Sequence, residues 1–353
     1  MRTLKVLALQ RESHVAPGVP SLSVAARITE VLDYLQQNGS LEYTSIAENN
    51  PASTNGVRWA DVLILSKHSS PAALELVRLA KQSGKRIIYD IDDWIFSFPE
   101  YSGGKKPNVK TSLILEILSF CTEITVANQR LKERISGFIP ECHHVPNGIW
   151  VEKYAAVLPK EPRPEEKRIV FTNADFLKLE ASKELILTAL QLFFMKHPEF
   201  VLDFYGDPFP EIVSLPFLHY TNRMPYDEYM QSLVSGQYLL SITPLGAAED
   251  AKAAEFNACK NPFKYLNYGA AGVPGIYSKS PIYTDCVVHD ETGWLVENTP
   301  KEWLGALETL AFDHSLRQRI RTQAYDDVSD RHHIKASAQA LMTLLAPAVR
   351  GCR

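Results

Sequence analysis

The chain of 353 residues is longer than one hydrophobic core usually fills, so two domains of roughly 150 residues each are expected. Its 45% hydrophobic and 22% charged residues are those of an ordinary soluble globular protein, not a disordered or fibrous one. With 37 Lys and Arg against 41 Asp and Glu the net charge is near -4, which excludes a general pull toward polyanions and makes nucleic acid an unexpected partner.

In chain order, "LKVLALQ" reads as a strand, followed by the Gly/Pro-rich loop "RESHVAPGVPS" and a segment from Leu22 to Leu35 with helix-spaced apolar positions. "DVLILS", "RIIYDI" and "EITVAN" are further short, nearly all-apolar runs, with helical segments such as "PAALELVRLAKQSG" between them. Continuous apolar strands alternating with helices indicate a parallel sheet covered on both faces. This half closes on "HHVPNGIW"; the stretch "YAAVLPKEPRPEEKR", rich in Pro and charge, is the candidate linker.

The alternation then restarts with "RIVFTN", a helix from about Ala181 to Lys196, "FVLDFYG", a helix around Tyr226 to Val234, and "YLLSITP". A helix starting near Asn261 precedes "PGIYS" and "GWLV". The C-terminal third is helical. "TPKEWLGALETL" opens on a capping box in which Thr299 accepts from the Glu302 N–H and Pro300 fits the first turn. Helices follow over about His314 to Asp327 and His333 to Leu345. The expected architecture is α/β, two doubly wound Rossmann-like domains facing across a cleft. The boundaries are 1–155 for the first domain, 156–330 for the second, and 331–353 for a terminal helix returning to the first domain.

Five cysteines (Cys121, Cys142, Cys259, Cys286, Cys352) are scattered and never spaced as CxxC, so neither a disulfide framework nor a zinc site is expected, and a reducing cytoplasm fits. The pairs His143/His144 and His332/His333 are sequence neighbours whose side chains diverge, a poor metal spacing. No window approaches the roughly 20 apolar residues of a membrane span, leaving peripheral contact at an inner membrane face open.

Two stretches carry candidate chemistry. "IIYDIDDWIF" ends a buried strand on Asp90, Asp92 and Asp93, at the carboxyl end of a parallel sheet where ligands bind. Three such close carboxylates need a partner: a cation, the donors of a polyol, or water. "NPFKYLNYGAAGVPGIYS" reads as Asn261 at the N-cap, Pro262 in the first turn, and a helix that stops at Ala271-Gly272. Its N-terminus, with Lys264 adding a full charge, suits a diphosphate.

"PFKYLNYGAAGVPGIYSKSPIYTDCVVHDETGWLVEN" resembles the donor-side signature of GT-B glycosyltransferases, particularly the retaining family 4. "VPNGIW" is similar to that family's Pro-Asn-Gly at the end of the first domain, and "WADVLILSKHSS…KRIIYDIDDWIF" to the Asp-rich turn of members that build bacterial surface polysaccharides. The resemblance implies transfer of a sugar from a nucleotide-diphosphate sugar to a glycan, lipid-linked or other hydroxyl acceptor, with no cofactor and no metal. It places Asp90, with Asp92, facing the transferred sugar, and Gly18 at the close approach after the first strand. Lys178 or Lys183 would stand near the diphosphate, and the turn from Asn222 through Met224 to Pro225 would border the base. Asn261, Phe263 and Lys264 form the rest of the donor side.

The departures matter too. The family's two glutamates fall at Cys259 and Asn267; Asn267 can still serve a ribose diol, while Cys259 cannot replace a carboxylate, leaving Glu255, one turn earlier, as the substitute. The expected Arg after the first strand of the second domain is Asn173. Other readings stay open. "DIDD" could be the metal motif of a GT-A transferase using Asp90 and Asp92, the chain could be a non-catalytic nucleotide-sugar or glycan binder, or the same architecture could serve a phosphorylase or epimerase.

Overall fold

The computed structural model describes residues 2–11, 21–96, 111–137, 139, 141–163, 165–173, 182–206, 210–246 and 251–350. The chain forms two compact units. One runs up to Trp150 and takes in His333–Arg353; the other covers Val151–His332.

The first unit holds β1 (Lys5–Gln10), β2 (Glu42–Ala47), β3 (Val62–Ser66), β4 (Arg86–Ile91), β5 (Glu123–Val126) and β6 (His143–His144), in the order β2-β1-β3-β4-β5-β6. Every pair is parallel, so each connection is a crossover that lays a helix on a face. The Pro71–Gln82 helix shows how local sequence sets such an element. Ser70 accepts from the Ala73 N–H, Pro71 starts the first turn, and Ala73, Leu74, Leu76, Val77 and Ala80 form the buried face.

Where one continuous helix is expected from Leu22 to Leu35, the chain instead makes a short α-turn at Leu22–Val24, a π-helical stretch at Ala25–Thr29, and an α-helix at Glu30–Gln37. A π-turn widens the helix by one residue, which apolar spacing over two turns does not register.

The terminal helix Ile334–Arg350 belongs to this first unit, burying Ile334, Ala338, Leu341 and Leu345 against Leu4, Val6, Val31 and Leu32. Arg86, at the start of β4, donates to the Leu344 and Leu345 carbonyls at 2.8 and 3.4 Å while pairing with Glu123.

The second unit holds β7 (Arg168–Asn173), β8 (Val201–Gly206), β9 (Leu218–Thr221), β10 (Leu240–Thr243), β11 (Gly275–Ser278) and β12 (Trp294–Val296), in the order β12-β11-β10-β7-β8-β9. The pairs are again all parallel. Its core joins β7, β8 and β10 to the Lys183–Lys196 and Pro300–Phe312 helices through Phe171, Phe193, Phe204, Trp303 and Leu307. Thr299 caps the latter helix by accepting from Glu302 N–H at 3.2 Å, with Pro300 next.

Both orders reverse direction once. In the first unit the reversal lies between β1 and β3, in the second between β7 and β10. At such a point the flanking connections leave in opposite directions and open a crevice at the carboxyl ends of the strands.

Candidate functional site

In the first unit the carboxylates at the end of β4 all meet cations. Arg27, on the π-helical stretch, grips Asp90 with two donors at 2.9 and 2.7 Å, and its remaining nitrogen donates to the Val145 carbonyl and to Asn147 Oδ1. Thr125 on β5 adds a third donor to Asp90, at 2.7 Å. The side chains of Arg27 and Asp90 are 2% and 1% exposed, so the pair sits wholly inside the protein. Lys67 binds Asp92 and reaches Asp93 at 3.3 Å, and its backbone N–H donates to the Asp90 carbonyl. Its φ of 52° is left-handed, an unusual state for a lysine and one these contacts hold in place. Burial alone would push Asp92 upward, but Lys67 and then Arg27 outweigh it and hold the carboxyl below its ordinary value.

The partners left open by the sequence are thus supplied by the same unit. Asp90 and Asp92 are buried and their carboxylates face Arg27 and Lys67. Neither cation was legible as a partner from spacing. The available signal was Arg27 itself, a charge set among the apolar positions Val24, Ile28 and Val31. Asn147, from the Pro-Asn-Gly turn, joins the set by accepting from Arg27 at 2.7 Å and donating to the Ala127 carbonyl at 3.2 Å.

In the second unit Asn173 ends β7 and Thr243 ends β10, on the two strands that flank the crevice. Both are buried, and among the described residues neither Asn173 Nδ2 nor Thr243 Oγ1 has a hydrogen-bond partner. Leaving a buried polar atom unmatched costs about 1 to 3 kcal/mol. Two such atoms at the ligand-binding edge of a Rossmann-like sheet are positions where a ligand oxygen would recover that cost.

The helix expected from Asn261 begins two residues later, at Phe263–Ala270, with Pro262 as the N-cap. Pro262 offers no side-chain acceptor, so it cannot cap the first turn as Asn261 was expected to. Asn261, Phe263 and Lys264 are half-buried around that end. Asn267 is buried three residues further along, and its Oδ1 accepts from the Tyr226 hydroxyl at 2.8 Å. Next to it Tyr268 and Tyr229 bond to Thr172 Oγ1 at 2.8 and 3.3 Å. Burial raises the Tyr229 phenol to about 12, so it stays a donor at neutral pH.

Cys259 is buried and Glu255, on the Ala251–Ala258 helix, is exposed. Asn222 is exposed and turns back on its own chain, accepting from the Arg223 N–H at 2.8 Å; Met224 receives the Ser232 hydroxyl at 3.6 Å. Lys183 pairs with Glu211 at 2.7 Å. Gly18 and Lys178 lie outside the described residues. Among the described residues no group of His, Cys, Asp and Glu is arranged to hold a metal ion, and no helix is long and apolar enough to cross a membrane.

No protein-family model matches the chain, and comparison with curated proteins gives no match. Solved structures do match over its whole length. Anabaena HepE, solved with UDP and glucose, superposes with a TM-score of 0.64 at 12% identity, over 98% of this chain and 100% of that one. The chain has the GT-B fold. A glycosyltransferase from Rickettsia africae matches with a TM-score of 0.63 at 12% identity, over 99% of each chain. A Listeria monocytogenes protein assigned as a UDP-N-acetylglucosamine 2-epimerase matches with 0.61 at 9% identity, over 100% of this chain and 98% of its own. The resemblance read from the sequence therefore leads to the right fold, and at these identities the fold is what the likeness carries.

Proposed function

We propose that the protein is a glycosyltransferase that uses a nucleotide-diphosphate sugar, with the donor on the second unit and a hydroxyl-bearing acceptor on the first. The observation that carries this is the pair of unmatched buried polar atoms, Asn173 Nδ2 and Thr243 Oγ1, at the strand ends flanking the crevice of the second unit. The end-to-end likeness to HepE with UDP and glucose supports it.

In this reading the anomeric carbon breaks its bond to the diphosphate oxygen and bonds to the acceptor oxygen, whose proton leaves with the nucleoside diphosphate. The start of the Phe263–Ala270 helix and Lys264 stabilise the charge gathering on the leaving diphosphate, where fixed dipoles help most. Asn173 and Thr243 hold its oxygens, and Asn267 lies on the ribose side. Glu255 takes the sugar-side role of the family's missing glutamate. Asp90 and Asp92 act as positioning residues, fixing the end of β4 through Arg27 and Lys67. Retention of configuration, a bacterial polysaccharide or lipid-linked acceptor, work at the inner face of a membrane, and independence of metal all belong to this proposal.

A second reading is a nucleotide-sugar epimerase, which the comparable match to the Listeria protein favours. Incubation with a panel of UDP-, GDP- and dTDP-sugars, with and without a mixed glycan acceptor pool, separates the two by chromatography. Free nucleoside diphosphate whose release rises with acceptor supports transfer. A changed sugar still attached to its nucleotide supports epimerisation. Neither change with any donor would remove both.

A further inference from the structure

The residues around Asn267 form a connected set within the second unit. Asn267 lies one turn in from Phe263 and Lys264, which are half-buried at the start of their helix. Against that helix packs Tyr226–Ser235, which follows Pro225 and turns Tyr226 and Tyr229, three residues apart, to one side. The Tyr226 hydroxyl donates to Asn267 Oδ1 at 2.8 Å, and Asn267 also bonds the Tyr229 hydroxyl. Tyr229 donates onward to Thr172 Oγ1 at 3.3 Å, and Thr172 precedes Asn173 at the end of β7, so the set reaches the crevice. The Tyr226 ring is itself set edge-on to Tyr154, with centroids 6.2 Å apart.

The two phenols give the amide a fixed sense. Burial raises the Tyr229 phenol to about 12, so it stays protonated; with its proton directed at Thr172 it accepts from Asn267, which makes Nδ2 the donor there. Tyr226 fixes the other edge as oxygen. The oxygen and nitrogen of an amide are nearly the same size, and without such partners the group turns over at little cost. An amide has two acceptor lone pairs and two N–H donors. Tyr226 uses one lone pair and Tyr229 one N–H, which leaves one of each, side by side. A vicinal diol matches that pair, one hydroxyl accepting and its neighbour donating.

We propose that Tyr226 is a positioning residue that makes the donor site select ribonucleoside over 2′-deoxyribonucleoside diphosphates, by holding the Asn267 amide in the sense a vicinal diol requires. A 2′-deoxy sugar leaves half of the pair unmatched, so dTDP-sugars are poor donors. This deepens the transferase reading and rests on it for placing a nucleotide on the second unit.

Calorimetry on the full chain compares UDP and GDP, each with its 2′-deoxy form. The parent should hold at least one ribonucleotide roughly three- to tenfold more tightly than its 2′-deoxy form, the worth of one hydrogen bond. Tyr226→Phe keeps the ring and removes only the donated bond; the two forms should then bind alike, at the affinity the parent shows for the 2′-deoxy form. A residue that merely supports the fold would weaken both forms together and leave their ratio as in the parent, and that result overturns the inference. A parent that binds a ribonucleotide and its 2′-deoxy form equally also overturns it, while leaving the transferase reading in place. A parent that binds none of the four nucleotides removes both.

Discussion

Truncating Asp90 separates a structural carboxylate from a catalytic one. Asp90→Ala removes two of the four hydrogen bonds that Arg27 makes and the acceptor of Thr125, leaving a guanidinium that is 2% exposed without its bonded carboxylate and with only the longer-range charge of Asp92 to offset it. Removing one partner from a buried ion pair costs about 3 to 5 kcal/mol. For a unit of this size 1 kcal/mol moves the melting temperature by roughly 2 to 4 °C, so a drop of about 10 °C is expected. Asp90→Asn keeps the shape and one acceptor oxygen and loses mainly the charge assistance, so about 2 kcal/mol is expected.

The double variant Arg27→Met with Asp90→Leu removes both charges and should recover most of the loss, since an apolar pair of similar volume often replaces a buried ion pair without penalty. Urea unfolding followed by tryptophan fluorescence measures all three. An Asp90→Ala protein within about 0.5 kcal/mol of the parent, inside the range of an inert surface change, would refute the reasoning. So would a double variant less stable than either single. Sugar-nucleotide turnover by folded Asp90→Asn supplies the functional half. A positioning residue should leave activity within about tenfold, whereas an acid or base in contact with substrate would cost a hundredfold or more.

Acid stability should depend on Lys67. Asp92 titrates lower in the folded chain than unfolded, so its contribution is full above the ordinary carboxylate value of 3.8 and is lost as pH falls through the lower folded value. Lys67→Met removes the main cause of that lowering, so the Asp92 share of the acid loss should shrink or vanish and the urea-midpoint profile should flatten below 3.8, on top of a lower stability at neutral pH; an acid limb as steep as the parent's would contradict the assignment. Gly148→Ala should destabilise the first unit by about 1 to 3 kcal/mol, because a Cβ there meets Ser337 Oγ at 2.7 Å and the Ile334 backbone at 2.8 Å; a neutral result in urea would show that this contact yields easily. Lys264→Ala should weaken UDP binding about tenfold by calorimetry with the melting curve unchanged, and chelator should leave the parent's affinity alone. Equal affinities for parent and variant would remove Lys264 from the donor site.

The parts of the fold that the sequence reveals are those whose burial is complete. β3, β10 and β11 are buried along their whole lengths and spell short apolar runs. The strands that such a reading misses, β2, β6 and β9, all lie at sheet edges. "EYTSIA" and "LHYT" carry mixed residues because no position of either edge strand is fully buried, and β6 is only two residues long. Parallel pairing and the repeat of the alternation were legible. The strand orders, and with them the crevice positions, depend on which face each crossover takes, and no local pattern encodes that.

The same distinction governs the sites. "DIDD" announces a charged strand end, but its meaning lies with Arg27 and Lys67, 63 residues before Asp90 and 25 before Asp92, and sequence spacing cannot pair groups across a crossover. A run of carboxylates invites a cation or a polyol as partner; here Arg27 holds Asp90 and Lys67 bridges Asp92 and Asp93. The polar atoms unmatched among the described residues at the second unit's crevice are instead those of Asn173 and Thr243, neutral residues at strand ends. In the first unit the conspicuous charges are consumed in holding the end of β4 still. A reading that weights charge in a sequence will therefore find the scaffold of such a site before it finds the contacts.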